Sequence, residues 1–283
     1  MKNTSKLISL IAIVWFGLAT INASAGEKDR YLPMSTKSEA AKISCHEAFD
    51  RIANADIEGF NTKIEASLRA DPQCFMAHAN RALVTASNPK NEKAGTFISS
   101  ALLLPQDNLT PAEKIIRRML VQIQTNRKTL SKTDKNNIKA TSLKPLCDEL
   151  VNAYPNNTGA YEVAIAACRF IDDNPDQALA YTEKLIDINP TYAPAWNTLG
   201  YHWMEKGNMD KAAEAFNNYM RLAPNEANAH DSMGDYLMKA NRFDEAANHY
   251  DKAVSLGMTG SRERAEKARN MARIPDTDDD LDK

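Results

Sequence analysis

Apolar residues near the middle of the chain recur at helical spacing. Between residues 195 and 206, Trp196, Leu199, Gly200 and Trp203 fall three or four positions apart, which lines one face of a helix. Gly207-Asn208 breaks the run. From 210 to 222, Ala212, Ala213, Phe216, Tyr219 and Met220 form a second stripe, and Pro224 stops it. The pattern predicts two amphipathic helices joined by a short turn, and it repeats. Asp176-Gln177-Ala178, Asp210-Lys211-Ala212 and Asp244-Glu245-Ala246 stand 34 residues apart with no gap. Ile165, Leu199 and Met233 keep the same step, as do Ala166, Gly200 and Gly234, and Leu185, Tyr219 and Ala253. Pro190 and Pro224 match, with Met258 in place of a third proline. Gly200 and Ala212, then Gly234 and Ala246, are small where paired helices must approach, since packed axes lie ~8–10 Å apart.

The unit 193–226 carries Trp196, Leu199-Gly200, Ala212, Phe216 and Pro224, and in these residues it resembles the tetratricopeptide repeat. Trp203 stands where that family often has tyrosine. The resemblance covers 159–260 as three units, 159–192, 193–226 and 227–260, and is weaker in the first, where Glu162 and Arg169 replace aromatics. It implies an all-α fold, a right-handed superhelical solenoid of antiparallel helix pairs.

Upstream, residues 36–158 read as degenerate hairpins of the same kind. Residues 37–53 and 57–69 form one pair, closed by Asp71-Pro72; 73–86 and 92–104 form a second, closed by Pro105. The stretch Asp71-Pro72-Gln73-Cys74-Phe75-Met76-Ala77-His78-Ala79 looks like the junction between units in a group of exported bacterial tetratricopeptide proteins. Thr110-Pro111-Ala112-Glu113 is a helix start, with Thr110 as cap and Glu113 reaching back. The pair 112–130 and 137–153 is too long for a 34-residue unit and reads as an enlarged, irregular repeat around a polar turn at 131–136. Residues 261–274 form a polar capping helix, which the last unit of a stack needs because no neighbour covers it. An N-terminal linker at 26–35 and an acidic, disordered tail at 275–283 complete the layout.

The first 25 residues read as a signal peptide. Lys2 and Lys6 precede an apolar run from Leu7 to Leu18, and Ala23-Ser24-Ala25 offers a cleavage site. The run is shorter than the ~20 residues of a comfortable membrane span; a retained N-terminal anchor is the other reading. The mature chain is expected to be periplasmic or secreted, with no membrane span. The whole chain has a formal net charge of −2, and losing Lys2 and Lys6 makes it more acidic. An acidic chain of this kind argues against nucleic acid as partner.

Four cysteines follow the cut site: Cys45, Cys74, Cys147 and Cys168. An even number in an exported chain fits two disulfides, with sequential pairing 45–74 and 147–168 placed ahead of the alternatives; four buried thiols are the competing reading. No pair has the spacing of a zinc or Cys-x-x-Cys site, so no metal is expected. The sequence holds no Gly-rich phosphate loop, no His-Glu-x-x-His and no Gly-x-Ser-x-Gly, so neither catalytic residues nor a cofactor are assigned. Cys45 beside His46 is the one tempting cluster, but adjacent helical residues do not face each other. His78 and His230 lie near the starts of first helices and read as packing or groove residues. Asn108-Leu109-Thr110 fits a glycosylation acceptor, but Thr110 already serves as a cap.

The resemblance also implies a binding face. In stacked tetratricopeptide units the fifth, ninth, twelfth and thirteenth residues of each first helix point into a concave groove. Those positions are Asn197, Tyr201, Met204 and Glu205 in one unit and Asp231, Asp235, Met238 and Lys239 in the next. In the unit at Gly159 they are Val163, Ala167, Phe170 and Ile171. Such a wall suits an extended peptide or amphipathic helix. Domains of this family that clamp a C-terminal carboxylate carry Lys and Asn at the fifth and ninth positions; Asp231 and Asp235 would repel it, and a Lys or Arg beside apolar residues fits better. The expected function is an exported adaptor or assembly scaffold, not an enzyme, that binds a protein or peptide. A self-associating structural subunit and an unrecognised enzyme are the alternatives.

Overall fold

A computed structural model describes residues 27–53, 56–132 and 141–273. The segment expected to be a signal peptide, the acidic tail and the expected polar turn from 133 onward lie outside the described residues. The described chain is helical, in two compact units divided between Thr191 and Tyr192. The all-α expectation holds.

The first unit opens with a short turn of helix, α1 (Glu27–Arg30), and then runs without helix to Ser38. Four pairs follow: α2 (Glu39–Ala53) with α3 (Ile57–Ala70), α4 (Phe75–Ala86) with α5 (Ala94–Leu102), α6 (Pro111–Lys132) with α7 (Lys144–Ala153), and α8 (Thr158–Ala166) with α9 (Pro175–Ile188). Phe60, Ile64, Phe75, Ile98, Ile116 and Met119 are buried in its core. The second unit holds α10 (Ala193–Glu205) with α11 (Met209–Leu222), α12 (Ala227–Lys239) with α13 (Phe243–Ser255), and a final α14 (Arg262–Ala272). Among the described residues no helix is long and apolar enough to cross a membrane.

Local chemistry explains the starts. Asp56, Asn157, Asn174 and Asn208 each accept a hydrogen bond from a backbone N–H in the first turn that follows, at Gly59, Ala160, Gln177 and Lys211. Each cap contributes about 1 kcal/mol. At α6 the capping box forms as the sequence expects. The Glu113 N–H donates to Thr110 Oγ1 at 3.2 Å, and the Thr110 N–H donates back to Glu113 Oε2 at 2.9 Å.

Two helices depart from expectation. The partner of α6 begins at Lys144 rather than 137, because Pro145 in its first turn suits a helix start and would break a helix interior. α8 does not continue as an α-helix but widens into a π-helical turn, Ala167–Ile171. A π-turn rotates each residue by less than an α-turn does, so Phe170 and Ile171 fall out of the face that α-helical counting gave them.

The 34-residue step survives in the backbone. Asp173, Gly207 and Asn241 occupy the same place in successive units, and all three are left-handed, with φ of 51°, 76° and 58°. Glycine, Asn and Asp are the residues that take this conformation most readily.

The small-residue columns mark ring contacts. A Cβ on Gly200 would lie 2.7 Å from the Phe216 ring, and one on Gly234 would lie 2.6 Å from the Tyr250 ring. Both rings are buried and cannot swing away. Replacing Gly200 or Gly234 by valine will therefore overpack the helix pair and lower stability by about 1–3 kcal/mol. Urea unfolding of each variant checks this; an unchanged midpoint would refute the packing scheme.

Candidate functional site

The first helices of the pairs in the first unit are α2, α4, α6 and α8, and one segment touches all of them. Residues 30–36, which overlap the linker expected at 26–35, form a strap. Arg30 Nη2 meets Asp50 Oδ1 of α2 at 2.8 Å, and the Tyr31 hydroxyl donates to the same carboxylate at 3.2 Å. The Tyr31 ring stacks on His46 of α2, with centroids 3.8 Å apart and planes 7° from parallel. Leu32 is buried, and with Tyr31 and Met34 it lines a small cavity against Phe49, Met76 and Val163.

The strap is also held through its backbone. Tyr31 O accepts from Asn157 Nδ2 at 3.0 Å, and Pro33 O accepts from Thr110 Oγ1 at 3.0 Å. The Ser35 N–H donates to both carboxylate oxygens of Glu113 at 3.1 Å, and Thr36 Oγ1 donates to Asp71 Oδ2. Glu113 is fully buried, so the strap and the capping box together supply the N–H donors its charge needs. Gly159, at the start of α8, makes room: a Cβ there would lie 3.2 Å from Arg30 O and 3.4 Å from Leu32 N.

In the second unit the structure divides the expected groove residues. Asn197, Tyr201 and Asp231 are buried, at 1%, 5% and 3% exposure. Asp235, Met204 and Met238 are half-buried, while Glu205 and Lys239 are exposed. Phe170 and Ile171, in the π-turn of the first unit, are half-buried, whereas Val163 and Ala167 are buried.

The two aspartates do not await an external cation. Arg264 of α14 places its guanidinium 2.7 Å from Asp231 Oδ1 and 3.4 Å from Asp235 Oδ1. Ser261 Oγ donates to Asp231 at 2.5 Å. Asp235 accepts from the hydroxyls of Tyr201 at 2.8 Å and Tyr250 at 2.6 Å. Burial first, and then the neighbouring Asp235, push the Asp231 carboxyl above the usual range, while Arg264 opposes them. The expected attraction for a partner's Lys or Arg is thus satisfied inside the chain. Ser261 stands 34 residues after Ala227, so α14 occupies the place of a further first helix.

The histidines have structural partners. His230 Nε2 lies 3.1 Å from Pro224 O, so it carries the proton, and His230 Nδ1 accepts from His249 Nδ1 at 3.3 Å. Burial is the largest cause that lowers the pKa of each. His78 repeats the contact with a proline carbonyl, 3.0 Å from Pro72 O. The four cysteines stand as buried thiols, so the expected bridges are not closed. Cys74 nevertheless acts on the Cys45 thiol, and Cys168 on the Cys147 thiol, each raising its partner's pKa. Cys45 also accepts from Asn80 Nδ2 at 3.4 Å, and its hydrogen bond with Cys74, then burial, raise its pKa well above the ordinary value. Such a thiol is a poor nucleophile. Among the described residues no group of His, Cys, Asp and Glu is arranged to hold a metal ion.

The sequence profile of the tetratricopeptide repeat matches residues 170–236. No curated protein sequence matches the chain. Several solved structures are similar. TTC0263, a thermophilic tetratricopeptide-repeat protein of Thermus thermophilus, shares 18% identity over 82% of this chain and 100% of its own, with a TM-score of 0.48. PilW, a widely conserved type IV pilus biogenesis factor, shares 16% identity over 81% of this chain and 99% of its own, with a TM-score of 0.45. Yeast Tom70 shares 16% identity over 89% of this chain and 49% of its own, with a TM-score of 0.43.

Two outcomes follow from these contacts. Arg264→Ala strips the buried Asp231 of its cation and will cost ~3 kcal/mol in urea unfolding at neutral pH, with Arg264→Lys recovering part of it. The loss will shrink in acid, where Asp231 takes up a proton. The histidine pair has the opposite sign. Both imidazoles titrate below their ordinary value of 6.5, so the unfolded chain binds more protons as the pH falls through 6.5, and stability drops. His249→Gln will flatten that acid loss relative to the unsubstituted chain, since Asp231 is common to both. Parallel stability curves would refute the assignment.

Proposed function

Residues 170–236 are tetratricopeptide repeat, and on that premise we propose that the chain is a scaffold that holds a partner's polypeptide segment against its first helices. The strap is the observation that carries this reading. A non-helical stretch of polypeptide lies across α2, α4, α6 and α8, fixed at its backbone by Asn157, Thr110 and Glu113. Its aromatic and apolar side chains fill the space between those contacts. Backbone recognition with alternate side-chain pockets is how extended peptides are bound.

In the first unit, then, the binding face is occupied from within the chain, and a partner segment must displace residues 30–36 or continue beside them. In the second unit the face offered to a partner centres on Met204 and Met238, with Glu205 and Lys239 at its rim. Two flexible thioethers between opposite charges suit an apolar segment with mixed flanking charge, not a basic one. The N-terminal signal pattern supports action outside the cytoplasm, with the mature chain beginning at Gly26. Sequencing the N-terminus of the exported fraction tests that part; a chain still beginning at Met1 would refute it.

Binding is tested with a labelled peptide of residues 29–37. In the full chain bearing Tyr31→Ala, Leu32→Ala and Met34→Ala, the loosened strap will let this peptide bind in trans, read as fluorescence anisotropy. The unsubstituted chain, whose strap competes at high effective concentration, will bind it at least about tenfold more weakly. Failure of the folded triple variant to bind the peptide would overturn the proposal.

A further inference from the structure

The first unit contains two buried dithiols. Cys45 lies on α2 and Cys74 caps α4; Cys147 lies on α7 and Cys168 in the π-turn after α8. All four are 1% exposed or less. The seams that hold each pair are tied by hydrogen bonds: Asn80 of α4 donates to Cys45 Sγ at 3.4 Å, and Asp172, four residues after Cys168, accepts from Ser142 Oγ at 2.7 Å and from the Leu143 N–H, four residues before Cys147, at 2.6 Å. Within each pair one thiol also shifts the ionisation of the other. Each pair joins elements that belong to different helix pairs. A bond at 45–74 would tie the first hairpin to the second, and a bond at 147–168 would tie the third to the fourth.

The first dithiol is also chemically asymmetric. The hydrogen bond from Cys45 draws the Cys74 thiol down to about 7, and the Ala77 N–H at the start of α4 acts in the same direction, against burial. A helix N-terminus stabilises a thiolate in this way. Cys45, held by Asn80, stays protonated until its neighbour has reacted.

We propose that both dithiols are disulfide sites: Cys45 pairs with Cys74, and Cys147 with Cys168, by exchange with a small-molecule or protein disulfide. With oxidised glutathione as oxidant, the Cys74 thiolate attacks one glutathione sulfur and releases the other as glutathione thiolate. Cys45 then loses its proton and attacks Cys74 Sγ, which expels the second glutathione. The dithiol gives up two electrons and two protons, and one glutathione disulfide becomes two glutathione thiols. The second pair closes by the same steps. Because the sulfurs are buried, exchange proceeds during folding or through local opening of the hairpins.

The test uses the full chain, reduced, denatured and refolded with oxidised and reduced glutathione, then denatured and alkylated. The expected result is no alkylated cysteine, a mass lower by two hydrogens per pair, and proteolytic fragments joined 45 to 74 and 147 to 168. Oxidised chain will unfold at a higher urea concentration than chain kept in dithiothreitol. Cys45→Ser will leave Cys74 carrying a glutathione adduct while 147–168 still closes, a readout that a purely structural role for Cys45 would not move. Four alkylated thiols after refolding, crossed pairs, or bridges between chains would overturn the proposal.

Discussion

The fold rests on aromatic rings lying against bare backbone. Phe216 over Gly200 and Tyr250 over Gly234 are the same contact made twice, one repeat apart. The rings need the glycines, since even a methyl group would sit well inside contact distance. They set how near α10 comes to α11, and α12 to α13. That closeness decides which residues of the first helices face solvent and which are sealed in.

Much of this was legible from residue spacing. The 34-residue columns located both glycines and the paired helices, and Gly207-Asn208 marked the turn at which Gly207 adopts a left-handed backbone. The capping box at Thr110 was readable because its residue types leave little choice about geometry. The even cysteine count left bridges and buried thiols both open, and the structure holds four buried thiols.

The site was less legible, for reasons that differ by residue. Counting positions along a helix assumes α-helical winding, and the π-turn at Ala167–Ile171 removes that assumption for Phe170. Asp231 and Asp235 both meet the Arg264 guanidinium, but whether a charge is exposed depends on what packs over it. Arg264 lies on a helix whose composition announced only a polar end. The strap was invisible for a related reason. Residues 30–36 carry no periodicity, and their contacts lie as far away in sequence as Asn157. Short segments bound through their backbone leave almost no trace in a pattern of side chains.

The Arg264 contact has a bearing on how the chain is made. Helices α10 to α13 leave the ribosome before α14, and until Arg264 follows, the Asp231 carboxylate has no cation to meet it in a dry interior. The carboxyl must then stay protonated or stay wet, and the second unit cannot settle into its final state. Translation thus has to run nearly to the end of the described chain before this half locks. A product ending after α13 would leave Asp231 without the Arg264 and Ser261 contacts that hold it.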